Sequence, residues 1–148
     1  MSVESRRLEL TVACSLKHWS TVSQAITRFG QEGSWSELEQ HQVLFMVEEL
    51  VVNAMTHGRP QAGAADGSGW VRVECWDDEE WIRMRVTDNL SPFDPRQATP
   101  PGLLDDLETR AVGGLGVYLT LEMADSFSYE QVDGCNVVTL GKKRGPLA

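Results

Sequence analysis

The sequence is short of basic residues for a chain of its size. Its 148 residues carry 13 Lys and Arg against 22 Asp and Glu, which gives a formal net charge of −9. A nucleic-acid-binding surface, or one that docks on anionic lipid, needs clustered basic residues. This charge balance argues against both classes of partner and leaves a basic or neutral protein partner open.

The sequence also lacks paired cysteines and long apolar runs. Cys14, Cys75 and Cys135 are far apart and form no Cys-x-x-Cys pair, which argues against a disulfide framework and a zinc site and suits a reducing compartment. No stretch approaches the roughly 20 apolar residues of a membrane-spanning helix. Glu9 interrupts the apolar stretch near the N-terminus, which is unlike a secretory signal. We therefore expect a soluble cytoplasmic protein without a membrane partner.

Alternating apolar residues predict five β-strands. An acidic turn joins the second strand to the third, and Asp133-Gly134, a strong hairpin signal, joins the last two. The predicted strands are residues 6–14, 70–77, 81–88, about 126–131 and 135–142.

Three helices are predicted between these strands. The first has apolar residues at helical spacing over residues 19–29, and the third begins at the glycine-rich turn 113–116. The second is the longest; Ser36 and Glu39 form a capping-box sequence at its start, and it ends just before Gly58. Hairpins and three apolar helix faces predict one α/β domain over residues 1–148. We expect a two-layer sandwich, in which a mixed, mostly antiparallel sheet is covered on one face by three helices.

A polar line on the second helix is the first candidate site. Glu49, Asn53 and His57 are four residues apart, so they lie on one helix face. Polar groups edged by apolar residues cost stability unless something polar meets them, and a metal ion with a phosphorylated ligand would do so. Asn53 can offer an oxygen to Mg²⁺, which relies on substrate phosphates for much of its shell, and Glu49 can accept a proton. The alternative is a solvated polar stripe.

Asp88 is the second candidate, at the end of a predicted strand. A buried carboxylate there could accept a hydrogen bond from the exocyclic amine of adenine. An Asp that opens a turn is common, and for Asp88 in isolation that interpretation is favoured.

The third candidate is the turn Gly113-Gly114-Leu115-Gly116 at a predicted helix start. Glycines let backbone N–H groups approach phosphate oxygens, and a helix N-terminus adds partial positive charge. The turn is neither the dinucleotide fingerprint nor a P-loop. A flexible joint between loop and helix is the alternative.

In this order and in these contexts, the three motifs resemble those of one ATP-binding superfamily. The chain is similar to the ATP-binding domain of gyrase, heat-shock chaperones, histidine kinases and MutL, the GHKL superfamily with the Bergerat fold. Within it, the chain most resembles the serine-protein kinases that act as anti-sigma factors in bacterial partner-switching systems. The resemblance runs from about residue 6 to residue 142: residues 49–54 with His57 match the N-box, Asp88 with residues 92–95 the first glycine box, and residues 113–119 the second.

This resemblance implies a role for each matched residue. Glu49 would be the general base that activates a Ser or Thr hydroxyl, Asn53 would coordinate Mg²⁺ bridging the ATP phosphates, and Asp88 would bind the adenine amine. Residues 94–112 would form a mobile ATP lid, in which Arg110 either reaches a phosphate or remains a solvated charge. The other residues expected at the nucleotide are His57, Phe93, Gly113, Gly114, Leu115, Gly116 and Val117.

The implied function is an ATP-dependent serine/threonine-protein kinase. Its partners would be a STAS-domain antagonist protein, a sigma factor and a second copy of the chain in a homodimer. One departure opens a rival function: Leu90 stands where the family has glycine, and its side chain could narrow the base pocket. The rival is a docking module, with or without bound nucleotide, that regulates a partner without catalysis. Glu48 is a second candidate base, although register with Asn53 favours Glu49.

Overall fold

The computed structural model describes residues 6–97 and 114–145. Five strands and three α-helices follow one another as the sequence predicts. The strands are β1 Arg6–Ala13, β2 Trp70–Asp77, β3 Trp81–Asp88, β4 Ser126–Val132 and β5 Cys135–Lys143, and the helices are α1 Trp19–Glu32, α2 Glu37–His57 and α3 Gly114–Met123.

The strands form a single sheet in the order β1-β2-β3-β5-β4. Every pair among the described strands is antiparallel, so the sheet is not mixed as expected. The difference arises between β3 and β5, which are distant in sequence. The chain returns through α3 and β4, and the β4–β5 hairpin then brings β5 back antiparallel to β3.

The predicted capping box fixes the start of α2. The Glu39 N–H donates to Ser36 Oγ at 3.0 Å, and the Ser36 N–H donates to Glu39 Oε1 at 2.8 Å. Glu39 also pairs with Arg144, just beyond β5, at 3.4 Å. At the other end the Gly58 N–H caps the Ala54 carbonyl at 2.9 Å. These contacts hold a 21-residue helix across the sheet.

The core lies between the helices and one face of the sheet. Inward-facing residues of the strands alternate with outward-facing ones, as β geometry requires, and α2 contacts α1, α3 and β3. The core residues with at most 2% exposure include Val22, Ile26, Val43, Met46, Val47, Val51, Val71, Val73, Ile82, Met84 and Leu140. The packing places the C-terminal half of α2 beside both α3 and the sheet.

The opposite face of the sheet, which we call the open sheet face, is covered by no helix that the structure describes. Its centre carries tryptophans with arginines stacked on them: Arg83 lies 4.4 Å from the Trp81 ring centroid, and Arg85 lies 5.1 Å from that of Trp76. The buried Glu74 pairs with Arg85 at 3.9 Å. This face is therefore aromatic and locally basic, although the chain as a whole is acidic.

Over residues 6–97 and 114–145, none of the helices has the length and apolar character needed to cross a bilayer.

Candidate functional site

Glu49 is a half-buried carboxylate in the middle of α2. Burial, and to a smaller extent the neighbouring Glu48 carboxylate, raises the pKa of Glu49. Within the described part of the chain no hydrogen-bond donor reaches its side chain, whereas Glu48 is exposed to solvent. Of the two adjacent glutamates, Glu49 is the one whose environment suits a proton acceptor.

Gly116, in the first turn of α3, lies directly against this carboxylate. An added Cβ at Gly116 would overlap the Glu49 carboxylate and lie 3.0 Å from its Cγ. The glycine therefore lets the Glu49 carboxylate of α2 lie against the first turn of α3. The contact joins two residues, Glu49 and Gly116, that are 67 positions apart in the sequence (116 − 49).

Asn53 lies one turn after Glu49 and is also half-buried. No side-chain hydrogen bond of Asn53 occurs among residues 6–97 and 114–145, so its amide oxygen is available to a ligand. The same residues contain no group of three or more His, Cys, Asp or Glu side chains that could hold a metal by themselves. An Mg²⁺ ion carried largely by nucleotide phosphates and water fits such a single neutral ligand. His57, the last residue of α2, is exposed.

Asp88 ends β3 with one oxygen anchored. Its Oδ1 accepts hydrogen bonds from the Leu90 N–H at 3.0 Å and from Asn136 Nδ2 at 2.8 Å. Its Oδ2 receives none from the described residues. Burial raises the pKa of Asp88, and the two hydrogen bonds oppose that rise. The geometry suits a carboxylate that is held by one oxygen and accepts from a ligand with the other.

Asn136 is a site residue that the sequence reasoning missed. It lies on β5 directly opposite Asp88, is 4% exposed and contacts both Asp88 and the chain that follows it. A signal was present, because Asn136 is in phase with the buried Val138 and Leu140 on the inner face of a strand. An amide at an apolar position needs a polar partner, and only the pairing of β5 with β3 shows which one.

Leu90, the departure from the family pattern, packs into the core. It is 5% exposed, and its side chain fills the space beside Gly58 and Gly69, where an added Cβ would overlap it or lie 3.1 Å from it. Among the described residues, only Ser34 and Asp133 combine a side chain with a positive φ. Leu90 thus has an ordinary backbone and two glycines that make room for its side chain.

The remaining residues predicted to contact the nucleotide differ in their exposure to solvent, and some lie outside the described residues. Phe93 is exposed, and its N–H donates to Asn136 Oδ1 at 3.0 Å. Leu115 is exposed on α3. Val117 is 1% exposed, so only the backbone of Val117 could approach a nucleotide. Gly114 begins α3. Gly113, Arg110 and most of the expected lid, residues 98–112, lie outside the described residues.

Comparison with known proteins assigns the chain to a family. The sequence profile of the histidine kinase-like ATPase domain matches residues 12–142, most of the chain. The chain belongs to the histidine kinase-like ATPase domain family. This confirms the superfamily that the three motifs predict, and it makes ATP the expected ligand of the domain.

Two relatives show how far this likeness extends. The ATPase domain is 27% identical over 100 residues to the serine/threonine-protein kinase BtrW of Bordetella bronchiseptica, covering 68% of this chain and 65% of the relative. It superposes with a TM-score of 0.63 on a crystal structure of the RsbU and RsbW domains of Rv1364c from Mycobacterium tuberculosis. That match covers 95% of this chain and 33% of the other at 14% identity. The chain thus spans about two thirds or less of these relatives, and the structural likeness confirms the α/β fold alone.

Proposed function

We propose that this ATPase domain is a serine/threonine-protein kinase that transfers the γ-phosphoryl group of ATP to a hydroxyl of a partner protein. The observation that carries the proposal is Glu49: a half-buried carboxylate with a raised pKa and no internal partner among the described residues, set against the first turn of α3. A domain that only binds nucleotide has no need of a proton acceptor there. The similarity to a protein named as a serine/threonine kinase supports the same activity.

The site residues divide the work between binding and proton transfer. Asp88 Oδ2 accepts from the adenine amine, and the backbone N–H groups that begin α3 approach the phosphates. Asn53 would hold Mg²⁺, which when bound would neutralise charge on the phosphates. Glu49 accepts the proton of the partner's hydroxyl group. The hydroxyl oxygen bonds to the γ-phosphorus while the bond between that phosphorus and the ADP oxygen breaks.

We further propose that the phosphorylated partner is a STAS-domain antagonist, and that the kinase acts in the cytoplasm and binds a sigma factor. The resemblance of the three motifs to the anti-sigma factor kinases supports this choice. The second copy of a homodimer would dock on the open sheet face. That face carries cations and carboxylates together, among them Arg72 and Glu9, so it can complement itself across a two-fold axis.

The rival function, docking without catalysis, depends on Leu90 closing the base pocket. The packing of Leu90 beside Gly58 and Gly69 argues against that closure. This packing directs the Leu90 side chain into the core, which favours the kinase over the rival function.

A phosphotransfer assay tests the proposed activity. Wild-type protein and Glu49→Gln are incubated with Mg·ATP labelled at the γ-phosphate and with purified STAS-domain proteins of the source organism. We expect label on one such protein and a rate at least about a hundredfold lower for Glu49→Gln, since it keeps the shape of the side chain but cannot accept the proton. ATP binding, measured in parallel, should be nearly unchanged. A wild-type rate for Glu49→Gln would show that Glu49 is not the base.

A further inference from the structure

Asn136 is bonded at both ends of its side chain. Its Nδ2 donates to Asp88 Oδ1 at 2.8 Å and to the carbonyls of Ser91 at 3.0 Å and Leu90 at 3.3 Å. Its Oδ1 accepts from the Phe93 N–H at 3.0 Å and from the Tyr129 hydroxyl at 2.6 Å. An amide offers two donor hydrogens and two acceptor lone pairs, so this set of contacts uses both ends of the group.

We propose that Asn136 is the positioning residue for base recognition: it fixes the orientation of the Asp88 carboxylate and the path of residues 90–93, and so sets the preference for adenine. The inference rests on the proposed nucleotide site and adds to it a residue on another strand. Direct contact of Asn136 with the base is disfavoured, because both ends of its amide are already bonded within the protein. Asn136 therefore acts through Asp88.

The geometry explains why a separate anchor is needed. Asp88 is the last residue of β3, so the backbone pairing of the sheet ends at this position. That pairing does not fix the rotation of the Asp88 carboxylate about its side-chain bonds. The bond from Asn136 holds Oδ1 inward, which leaves Oδ2 as the acceptor for a donor on the base. Adenine presents an amine at the position where guanine presents a carbonyl oxygen, which an ionised carboxylate repels. A fixed, ionised Asp88 is thus the basis of the preference.

Three variants separate positioning from a purely structural role. Asn136→Val removes both polar ends of the side chain. Asn136→Thr introduces a side chain nearly identical in shape to valine, but with a hydroxyl that can donate to Asp88. Tyr129→Phe is the control, because it removes one bond to Asn136 Oδ1 and leaves the bond between Asn136 and Asp88 in place. Circular dichroism and thermal melting establish that each variant is folded.

The readout is the ratio of dissociation constants for Mg·ATP and Mg·GTP, measured by calorimetry across pH 5 to 8. The two nucleotides share their phosphates, so the titration of the phosphates and of Glu49 largely cancels in the ratio. Within residues 6–97 and 114–145, Cys14, just after β1, and Tyr129 of β4 are the titratable groups that interact electrostatically with the Asp88 carboxylate. Both have pKa values raised above already high ordinary ones and stay uncharged below pH 8. The change in this ratio at low pH, its acid limb, therefore reports the protonation of Asp88.

We expect the preference for ATP to fall by at least about tenfold in Asn136→Val, the size of one hydrogen bond to a charged group. The acid limb should move to higher pH, because loss of the Asn136 bond raises the pKa of Asp88 further and protonation removes the acceptor. Asn136→Thr should recover much of the preference, and Tyr129→Phe should match the wild type. A folded Asn136→Val with wild-type preference and an unshifted limb would overturn the proposal.

A second measurement keeps the inference testable if the protein does not bind nucleotide. The Asp88 side-chain carboxyl is titrated by carbon NMR without ligand in the wild type and the three variants. A higher pKa of Asp88 in Asn136→Val alone supports the positioning role even where the proposed kinase function has failed. An equal pKa in all four proteins contradicts it.

Discussion

Glu49 and Glu48 are adjacent in sequence but differ in environment. The helix turns Glu49 toward α3 and leaves Glu48 in solvent, so only Glu49 is desolvated. Both burial and the charge of Glu48 raise the pKa of Glu49. Glu48 should therefore change the pH dependence of the phosphotransfer rate, although it takes no part in the chemistry.

We predict that Glu48→Gln moves the acid limb of the phosphotransfer rate to lower pH. A general base works in its ionised form, so the rate rises with pH through the pKa of Glu49, and removal of a like charge lowers that pKa. Rates of the wild type and Glu48→Gln measured from pH 5 to 8 would show the shift, with Glu37→Gln at the far end of α2 as the matched control. A limb that moves upward, or moves equally in the control, would contradict this assignment.

We predict that Gly116→Ala leaves the protein folded but lowers phosphotransfer. The new methyl group would occupy the place of the Glu49 carboxylate, and because that carboxylate is the end of a flexible side chain, it can move aside at little cost to stability. Displacement from its position should lower the rate by at least about tenfold. Leu119→Ala, on the exposed side of α3, is the control; equal rates for the two variants would refute the contact as a constraint on catalysis.

Leu90 links two elements that carry the proposed site, the end of β3 and the end of α2. Pro60 and Leu90 form a β-bridge, and the Ser91 N–H donates to the Arg59 carbonyl at 2.8 Å. The segment after α2 therefore runs beside the segment after β3. The buried Leu90 side chain adds apolar contact beneath this pairing, which stabilises the position of Asp88 relative to α2.

We predict that Leu90→Ala lowers the free energy of unfolding by about 2–5 kcal/mol, as for other buried leucines, and does not tighten ATP binding. Urea unfolding and calorimetry measure the two quantities. If Leu90 instead narrowed the base pocket, the shorter side chain would strengthen ATP binding markedly at modest cost in stability, and that result would favour the docking function.

The elements that the sequence predicted well are those encoded locally. The capping box at Ser36, the hairpin at Asp133-Gly134 and the alternation of β2 and β3 all appear at the expected places. The role of Asn136, the glycines that accommodate Leu90 and the close approach of Gly116 to Glu49 depend on contacts between distant segments. Single-sequence patterns do not specify which strands become neighbours, so these contacts were not predictable from the chain alone.

The distribution of charge over the whole molecule is uneven. A net charge of −9 conceals a sheet face on which basic side chains gather around three tryptophans. The cations of this face are Arg7, Arg72, Arg83, Arg85 and Lys143, and its carboxylates are Glu9, Glu74 and Glu130. Tryptophan and arginine are enriched at the centres of protein interfaces, which supports this face as the surface that meets a second copy in the proposed homodimer.

We predict that Arg83→Glu dissociates the proposed homodimer. Arg83 stacks on Trp81 at the centre of the open face. In the proposed self-complementary interface, cations of one copy face carboxylates of the other, so Arg83→Glu would replace an attraction with repulsion and remove the stacking on Trp81. Arg28→Glu makes the same charge change on the exposed side of α1 and should leave the dimer intact. Sedimentation equilibrium decides: a monomeric wild type, or equal behaviour of the two variants, would remove the sheet face from consideration.

Calorimetric titration of Mg·ATP into the wild-type protein and into Asn53→Ala tests most directly whether the α2–α3 site is a nucleotide site. We predict micromolar binding by the wild type, and its loss in Asn53→Ala, because that variant lacks the side chain proposed to hold the magnesium ion. Wild-type protein that binds no Mg·ATP, or an Asn53→Ala variant that binds it equally well, would contradict the nucleotide site described here.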